Sequence, residues 1–387
     1  MLFQELLFFF WDIKKIDFNF LNQVGRLTVK NIGCLLRYQV AVLLIFLGEN
    51  SFSAMEMDHE HTSKMSTETH GSMHKASHHP PITIMGGNFH KKGEFMLSFR
   101  FMKMEMKKNP KNGKELSDYQ IISHPNPFSM GNMASNLSVV PKKMEMEMGM
   151  MGLMYGFSNR INGMLMLNYI NKYMLLNTYS PIPDLPCIKI YPSPPECRSL
   201  IGSFNTSSSG LSHVSSSILI KLKETNTSRW QIELNLMKSL GEENKKGEVL
   251  SPMNSRLNLT LPYSMQIGDK GTRLISALTY INNSLEWSYG LQAKINRIIE
   301  EKEWNYGDSH LINAWIQKDF FLNTSLSLRY SHFNENKIRG RDSLILAPVQ
   351  TSNPSNYGGR SSEIGIGLNM LLNNKQKSHS NSIGLEL

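Results

Sequence analysis

Histidine and methionine side chains are concentrated between residues 55 and 79, and they could bind a metal ion. Imidazole binds copper, zinc and nickel, whereas the methionine thioether selects soft ions such as Cu(I). A structural zinc site would need four fixed ligands, usually including cysteine, and that pattern is missing. The loose spacing predicts transient capture of copper or another soft metal ion, and the alternative is a polar linker with incidental histidines. The candidate metal ligands are Met55, Met57, His59, His61, Met65, His70, Met73, His74, His78 and His79.

A second group of methionines falls on alternate residues further along the chain, which has 25 methionines in all. Runs such as 102–106 and 144–150 place a column of thioethers on one side of a strand, because successive strand side chains point to opposite faces. A lumen lined in this way could conduct a soft cation or an apolar molecule, and the alternative is flexible filling of an irregular interior. The predicted lumen-lining residues are Arg100, Met102, Met104, Met148, Met150, Met154, Met164, Met166 and Asn168.

Strands of about ten residues must position these side chains. Apolar and polar residues alternate with a period of two from residue 94 onward, and we find no persuasive amphipathic helix in competition. Clusters of Asn, Ser, Gly and Pro separate the segments. The pattern predicts strands at 94–106, 143–157, 162–175, 212–223, 229–240, 272–281, 285–298, 310–319, 324–333, 361–371 and from 382 onward.

The connections between these strands are alternately long and short. Short turns on one side and long loops on the other are typical of an outer-membrane barrel, whereas a soluble β-sandwich predicts shorter strands without this parity. We therefore predict an all-β fold, an antiparallel transmembrane β-barrel of about 12 intended strands in the outer membrane of a Gram-negative bacterium. The last strand is apparently missing, because an even barrel needs another strand after residue 387. Outer-membrane lipid and the barrel-assembly machinery are the expected partners.

The residues before the barrel divide into three predicted parts. Residues 1–29 lie upstream of an export signal and are predicted to be an over-extended N-terminus. Lys30 and Arg37, followed by the apolar run 40–47 and small residues, predict a signal peptide at 30–53 that is too short to span a membrane as a helix. Residues 54–92 have few large apolar side chains, which predicts a disordered periplasmic arm. Residues 93–387 are predicted to be the barrel, truncated at its C-terminus.

Export also bears on the cysteines, because an exported chain reaches an oxidising compartment. Cys34 would be removed with the signal peptide, whereas Cys187 and Cys197 flank a proline-rich loop. We predict a local disulfide between these two, and the alternative is a pair of unpaired thiols.

Charge and motif content argue against two other classes of protein. The formal net charge is +9, but the basic residues are interspersed with acidic ones, so we predict no nucleic-acid partner. A Ser/His pair built on His213, His310 or His332 could hydrolyse lipid, yet no local catalytic signature accompanies these residues. We therefore predict that the protein is not an enzyme and assign it no certain cofactor.

Several motifs, kept in one order, resemble a largely uncharacterised family of proteobacterial outer-membrane transporter barrels, related to those named for a MetA pathway of phenol degradation. The resemblance implies an exported β-barrel with a transport role, and relatives of this type run on past the end of this sequence into a closing strand. The matching stretches are 79–87 (HPPITIMGG), 91–106, 141–168, 261–280, 347–351 and 356–359.

These observations predict an outer-membrane transporter or channel for a small solute or a soft metal ion such as copper. The alternative is an envelope protein that binds or scavenges metal without conducting. Flux of a solute or of Ag(I) through the reconstituted protein would support the channel, and tight binding without flux would support the scavenger.

Overall fold

Twelve antiparallel strands close into a barrel in the computed structural model of this chain. Around the wall they follow the order β1, β12, β11 and so on down to β2, so that each strand pairs with its neighbours in the chain and β1 joins β12 to β2. The structure describes residues 75–111, 113–129, 134–184, 197–284, 287–321, 323–373 and 380–387, together with the backbone of Phe3–Trp11. The strands are β1 Phe3–Trp11, β2 Phe95–Met106, β3 Val139–Ser158, β4 Ile161–Tyr179, β5 Leu200–Glu224, β6 Ser228–Ser239, β7 Thr272–Asn283, β8 Trp287–Glu300, β9 Ser309–Phe321, β10 Thr324–Glu335, β11 Gly359–Asn373 and β12 Ser380–Glu386.

Strands β2 to β12 are the strands that the alternation predicts, and the all-β antiparallel barrel is confirmed. The largest difference is in β5, which begins at Leu200 rather than near residue 212. The added segment is rich in Ser, Thr and Gly and lacks the apolar alternation on which the prediction rested. A bulge at Ser212 separates it from the rest of β5, since Asn168 pairs with His213 and Tyr169 with Leu211.

Apolar side chains cover the outside of the barrel. Leu328 and Ile366, for example, are 51% and 57% exposed, while their immediate neighbours in sequence, Ser327, Arg329, Gly365 and Gly367, are buried and point inward. The aromatic residues Tyr169, Trp287 and Tyr330 also face outward. A closed barrel leaves no unpaired strand edge, and an apolar outer face meets lipid tails, so this architecture is that of an outer-membrane barrel. The predicted location in the outer membrane is thereby confirmed.

The place expected for a missing twelfth strand is taken by β1. Its backbone pairs with β12 over Leu6–Phe10 and with β2 over Phe3–Trp11. Both strands would otherwise present an open edge, which is costly in lipid because backbone groups there have no water to bind. Cleavage at the predicted signal site would remove β1, so N-terminal sequencing of the exported protein distinguishes these two arrangements. Residues 12–74, which include the predicted signal peptide, lie outside the described residues.

The two ends of the barrel differ in their connections, and we call them the turn side and the loop side. The loop side carries three short ribbons and one short helix, Asp118–Ile122, which is capped by Ser117. The ribbons are Pro110–Lys111 with Lys114–Glu115, Lys246–Leu250 with Arg256–Thr260, and Trp304–Asn305 with Arg339–Gly340. No helix in the described part of the chain has the length and apolar character needed to cross a membrane.

Candidate functional site

Residues 75–92 lie inside the barrel on the turn side, and we call this segment the plug. It begins with a short 3-10 helix, Ala76–His78, and Ile84 packs between Ile281 and Trp315 of the wall. The segment belongs to the arm that the sequence predicts to be disordered, and here the structure differs. The plug buries few apolar groups of its own, but polar side chains of the lumen satisfy its backbone, as the contacts below show.

Two amide side chains hold the beginning of the plug. Gln317 of β9 donates from Nε2 to the carbonyl oxygens of Ser77 at 3.2 Å and His79 at 3.0 Å. Asn369 of β11 donates from Nδ2 to the same His79 oxygen at 3.1 Å. The bonds to both carbonyls are buried or half-buried, so they replace the water that the carbonyls would otherwise bind.

Further along, three consecutive plug carbonyls each accept a hydrogen bond from a different lumen side chain. Gln292 of β8 donates to Met85 at 2.9 Å, and Arg229 of β6 donates to Gly87 at 2.7 Å. Gln231, also of β6, donates to Gly86 between them. Gly86 has φ +70 and lies against the Glu233 carboxylate, so a side chain at this position would meet both strain and a clash.

Carboxylates of the lumen complete the attachment of the plug. Asp319 accepts from the backbone N and the hydroxyl of Ser77 at 2.9 and 2.7 Å. Glu386, buried near the end of β12, accepts from the Thr83 hydroxyl at 2.7 Å and forms an ion pair with Arg329 of β10. The plug is thus fastened by polar groups of β6, β8, β9, β11 and β12, and Arg329 of β10 holds the Glu386 carboxylate.

The neck of the plug, residues 88–94, is tied to the turn between β3 and β4. With its amide oriented to suit both partners, Asn162 accepts from the backbone N of His90 at 2.6 Å and donates to the His90 carbonyl at 3.0 Å. Burial lowers the pKa of His90, and the Glu94 carboxylate, 3.6 Å from Nδ1, opposes this effect. His90 is therefore stabilised in its neutral form.

The plug faces methionines on its remaining side. We call the inward residues of β2, β3 and β4 the methionine wall. Pairing between these strands arranges them in cross-strand rows, and every predicted lumen-lining residue lies in this wall. From turn side to loop side the rows are Met96–Met154–Met164, Ser98–Gly152–Met166, Arg100–Met150–Asn168, Met102–Met148–Ile170, Met104–Met146–Lys172 and Met106–Met144–Met174.

The ends of the methionine wall are packed and its middle is open. At the turn side Met96, Met154 and Met164 form a buried cluster with Leu219, against which Phe89 of the plug packs. At the loop side Met174 belongs to another buried cluster. The methionines of the two rows that begin with Met102 and Met104 are only half-buried.

An apolar pocket of about 60 Å³ lies on the loop side, beyond the last row of the methionine wall. Its lining comes from strand ends and from two loops at the barrel mouth, the loop that contains Val349 and the loop of residues 261–268. Val349 pairs with Val139, whose backbone N donates to Pro348 at 3.1 Å. The apolar side chains around it include Val139, Met174, Leu176, Phe204, Leu261 and Val349.

Polar groups of β4 and β5 bind the loop of residues 261–268 by hydrogen bonds. Lys172 donates from Nζ to the carbonyl oxygens of Ser264 at 2.8 Å and Gln266 at 2.6 Å. The Ser208 hydroxyl donates to Met265 at 2.6 Å. The pocket is therefore a fixed feature of the barrel mouth.

The predicted metal ligands are mostly outside the described residues, which include only His78 and His79 of that set. Both belong to the plug, where the His79 carbonyl accepts hydrogen bonds from the wall. Within the described ranges, no group of three or more His, Cys, Asp or Glu side chains could hold a metal ion. Cys197 is disulfide-bonded, and its predicted partner Cys187 lies outside the described residues.

Two of the histidines considered for lipid hydrolysis contact hydroxyl groups. His213 Nδ1 lies 3.2 Å from the hydroxyl of its sequence neighbour Ser212, at the bulge in β5. His332 Nδ1 lies 3.0 Å from the Ser362 hydroxyl on the exposed side of β10 and β11. These are local contacts on the wall, and we assign no chemistry to them.

The plug and the pocket were not predicted as site residues, although the sequence carries a signal for both. Three of the stretches on which the family resemblance rests supply them. Residues 79–87 form half of the plug, 261–280 supply Leu261, and 347–351 supply Val349.

Comparison with known proteins finds similar barrels among solved structures. No family model and no curated protein matches the chain. An outer membrane channel from Pseudomonas putida F1 has 9% identity and a TM-score of 0.43, with 77% of this chain and 96% of that one covered. A FadL homologue from Pseudomonas aeruginosa has 8% identity and a TM-score of 0.38, with 76% of each covered. The toluene transporter TodX from Pseudomonas putida has 11% identity and a TM-score of 0.33, covering 76% and 81%. Each of these similarities is to the general barrel fold, at low sequence identity.

Proposed function

We propose that this protein is an outer-membrane channel that takes up small, neutral, apolar solutes from the loop side. The observation that carries the proposal is the apolar pocket at the barrel mouth, bordered by Met174 of the methionine wall. Ligand pockets of this kind are lined mainly by apolar side chains, with few polar groups. Small aromatic molecules fall within this solute class.

The plug supports the same proposal, because it fills the lumen on the turn side with a segment held by many hydrogen bonds. A general diffusion pore for hydrophilic solutes would need an open aqueous path, as in porins. A plugged barrel with an apolar mouth instead favours selective passage. Hydrophilic solutes should therefore be excluded while apolar ones enter.

Copper passage has weaker support in the described residues. The inward face that carries the methionines also carries two cationic side chains, Arg100 and Lys172, in the third and fifth rows. Like charges repel more strongly at low dielectric than in water, so a metal cation in this wall would be disfavoured. Metal binding by the histidine-rich arm is a separate prediction and concerns other residues.

The test compares two probes in intact Gram-negative cells that produce the full chain. N-phenyl-1-naphthylamine is neutral and apolar and fluoresces when it passes the outer membrane. The hydrophilic cephalosporin nitrocefin is hydrolysed in the periplasm by a β-lactamase that the same cells produce there. We expect the first rate to rise about tenfold over cells without the protein and the second to change by less than about twofold. An equal rise of both rates, or no rise of the first with the barrel folded in the outer membrane, contradicts the proposal.

A matched pair of variants assigns the effect to the pocket. Val349→Thr adds a hydroxyl to the pocket without changing its shape, and burying that hydroxyl against an apolar solute costs about 1–3 kcal/mol, so entry of the apolar probe should slow about five- to tenfold or more. Val140→Thr makes the same change in a different buried cluster, with Ile121 and Tyr179, and should leave entry unchanged. Equal effects of the two would point to a general loss of stability.

A further inference from the structure

The plug is attached differently around its circumference, and this difference points to a route past it. Polar groups from β6, β8, β9, β11 and β12 fasten it by hydrogen bonds, including those from Gln317, Asn369 and Gln292. On the side of β2, β3 and β4, Asn162 holds His90 of the neck, and plug residues 84–88 face thioethers together with Ser98 and Arg100. Moving a hydrogen-bonded side leaves buried carbonyls unsatisfied, which is costly, whereas methionine has three rotatable bonds and repacks readily.

A small cavity of about 20 Å³ lies at the boundary between the plug and the methionine wall. Its lining includes Ile84 and Met85 of the plug, Met96, Met154 and Met166, and the polar residues Ser98 and Arg100. It lies at the turn-side end of the wall. At the other end Met144 packs against the cluster that includes Met174 and forms the apolar pocket.

The half-buried middle rows connect these two ends. Met102 pairs directly with Met148, and Met104 with Met146. Opposed side chains in an antiparallel pair lie about 5 Å apart, and successive rows on one face about 7 Å apart. On β3 the thioethers from Met144 to Met154 therefore follow one another with Gly152 as the interruption, and they are flanked by Ser98 and Arg100 on β2 and by Asn168 and Lys172 on β4. The lumen face of β8, β9 and β10 presents amides, hydroxyls and charges, as at Gln292, Asn313 and Arg329.

We propose that apolar solutes pass the plug along the methionine wall, between the thioethers of β2 to β4 and the plug residues 84–88, while the plug stays docked. This inference rests on the proposed function and specifies its path. The methionines act as a yielding apolar surface that opens to the width of the solute and closes behind it. Their sulfur atoms are not required as metal ligands in this role.

A large side chain in the middle of the wall tests the route. Met148→Trp fills the space in front of β3, and the control Asn296→Trp places the same ring on the lumen side of β8, across the barrel. We expect entry of N-phenyl-1-naphthylamine, normalised to the amount of folded barrel, to fall about tenfold in the first and to stay within about twofold in the second. Unchanged entry in Met148→Trp, or an equal fall in both variants, overturns the route.

A second pair of variants covers the case in which the tryptophan prevents folding. Met148→Cys and Asn296→Cys are modified after folding with a bulky maleimide, with the unsubstituted protein treated in parallel. Only the label at Cys on β3 should slow entry of the probe. Met148→Leu, which keeps the apolar volume and removes the sulfur, should retain entry within about twofold, and a loss comparable to that of Met148→Trp contradicts a sulfur-independent route.

Failure of this inference can be told apart from failure of the proposed function. If the protein is not an apolar-solute channel, cells with the unsubstituted chain show no faster entry of the probe than cells without it. If only the route is wrong, the unsubstituted chain accelerates entry and Met148→Trp does so equally.

Discussion

Replacing Gln317 by methionine should loosen the plug while the barrel stays intact. Gln317→Met keeps the length of the side chain but removes the bonds to Ser77 and His79, at 3.2 and 3.0 Å, and the acceptor for Asn369 at 3.2 Å. The His79 carbonyl keeps its bond from Asn369, whereas the Ser77 carbonyl loses the bond described here. Net hydrogen bonds contribute about 1 kcal/mol each and a buried unsatisfied carbonyl costs about 1–3, so we expect docking to weaken by about 2–3 kcal/mol.

Hydrogen exchange of the plug measures this change directly. A loss of 2–3 kcal/mol corresponds to about a 30- to 150-fold rise in the undocked population, and amide exchange of residues 76–90, followed by mass spectrometry, should accelerate by a similar factor. Exchange in the barrel strands should be unchanged. Entry of nitrocefin into intact cells should rise with it, because the undocked plug leaves the lumen open.

The control for this prediction is Asn313→Leu, which alters the same face of the same strand. Asn313 bonds to Gln292 and Ser331 of the wall and to no plug residue among these contacts. Exchange of the plug should therefore be close to that of the unsubstituted protein. If plug exchange is unaffected in Gln317→Met, or rises equally in Asn313→Leu, the assigned role of the amide contacts is refuted.

Three further predictions concern the plug and the arm. In Gly86→Ala the added methyl group meets the Glu233 carboxylate at a residue with φ +70, so amide hydrogen exchange of the plug should rise about tenfold or more. The control Gly93→Ala has φ +82 and open space around it, so it adds backbone strain alone and should have a smaller effect. Burial lowers the pKa of His90 below its ordinary 6.5, so as the pH falls the unfolded chain takes up a proton before the folded protein does. Thermal stability should therefore be full above about pH 6.5 and decline as the pH falls through the lowered pKa. His90→Gln should lessen that decline. A peptide of residues 54–92 should bind Cu(I) more tightly than about micromolar, or about −8 kcal/mol, and calorimetry without binding at that level would remove the metal prediction.

Alternation of side chains predicted β2 to β12 because each of these strands has one face in lipid and one in the lumen. Where the two faces of a strand do not differ in this way, alternation no longer predicts the strand. The first part of β5, Leu200–Leu211, projects beyond the apolar belt and has Ser and Asn on its outer side, so no apolar period marks it. The phenylalanine-rich segment of β1 precedes the apparent export signal, and nothing local indicates that it pairs with β2 and β12.

The candidate site was less predictable than the fold, for a physical reason. A plug such as 75–92 has no periodicity of its own, since its stability comes from distant side chains such as Gln317 and Asn369, more than 200 residues away in sequence. The pocket likewise depends on Val349 and Leu261 meeting Phe204 through loops whose course is set by tertiary contacts. Alternation could place Met148 and Met154 on one face, but it could not reveal that a plug lies against that face.

The most direct test of the central claim is the ratio of the two entry rates in the same cells. With the unsubstituted protein folded in the outer membrane, entry of N-phenyl-1-naphthylamine should rise about tenfold while nitrocefin entry changes by less than about twofold. The ratio of N-phenyl-1-naphthylamine entry to nitrocefin entry should fall in Val349→Thr and should be unchanged in Val140→Thr. A barrel that admits both probes alike, or neither, contradicts a channel with an apolar mouth and a docked plug.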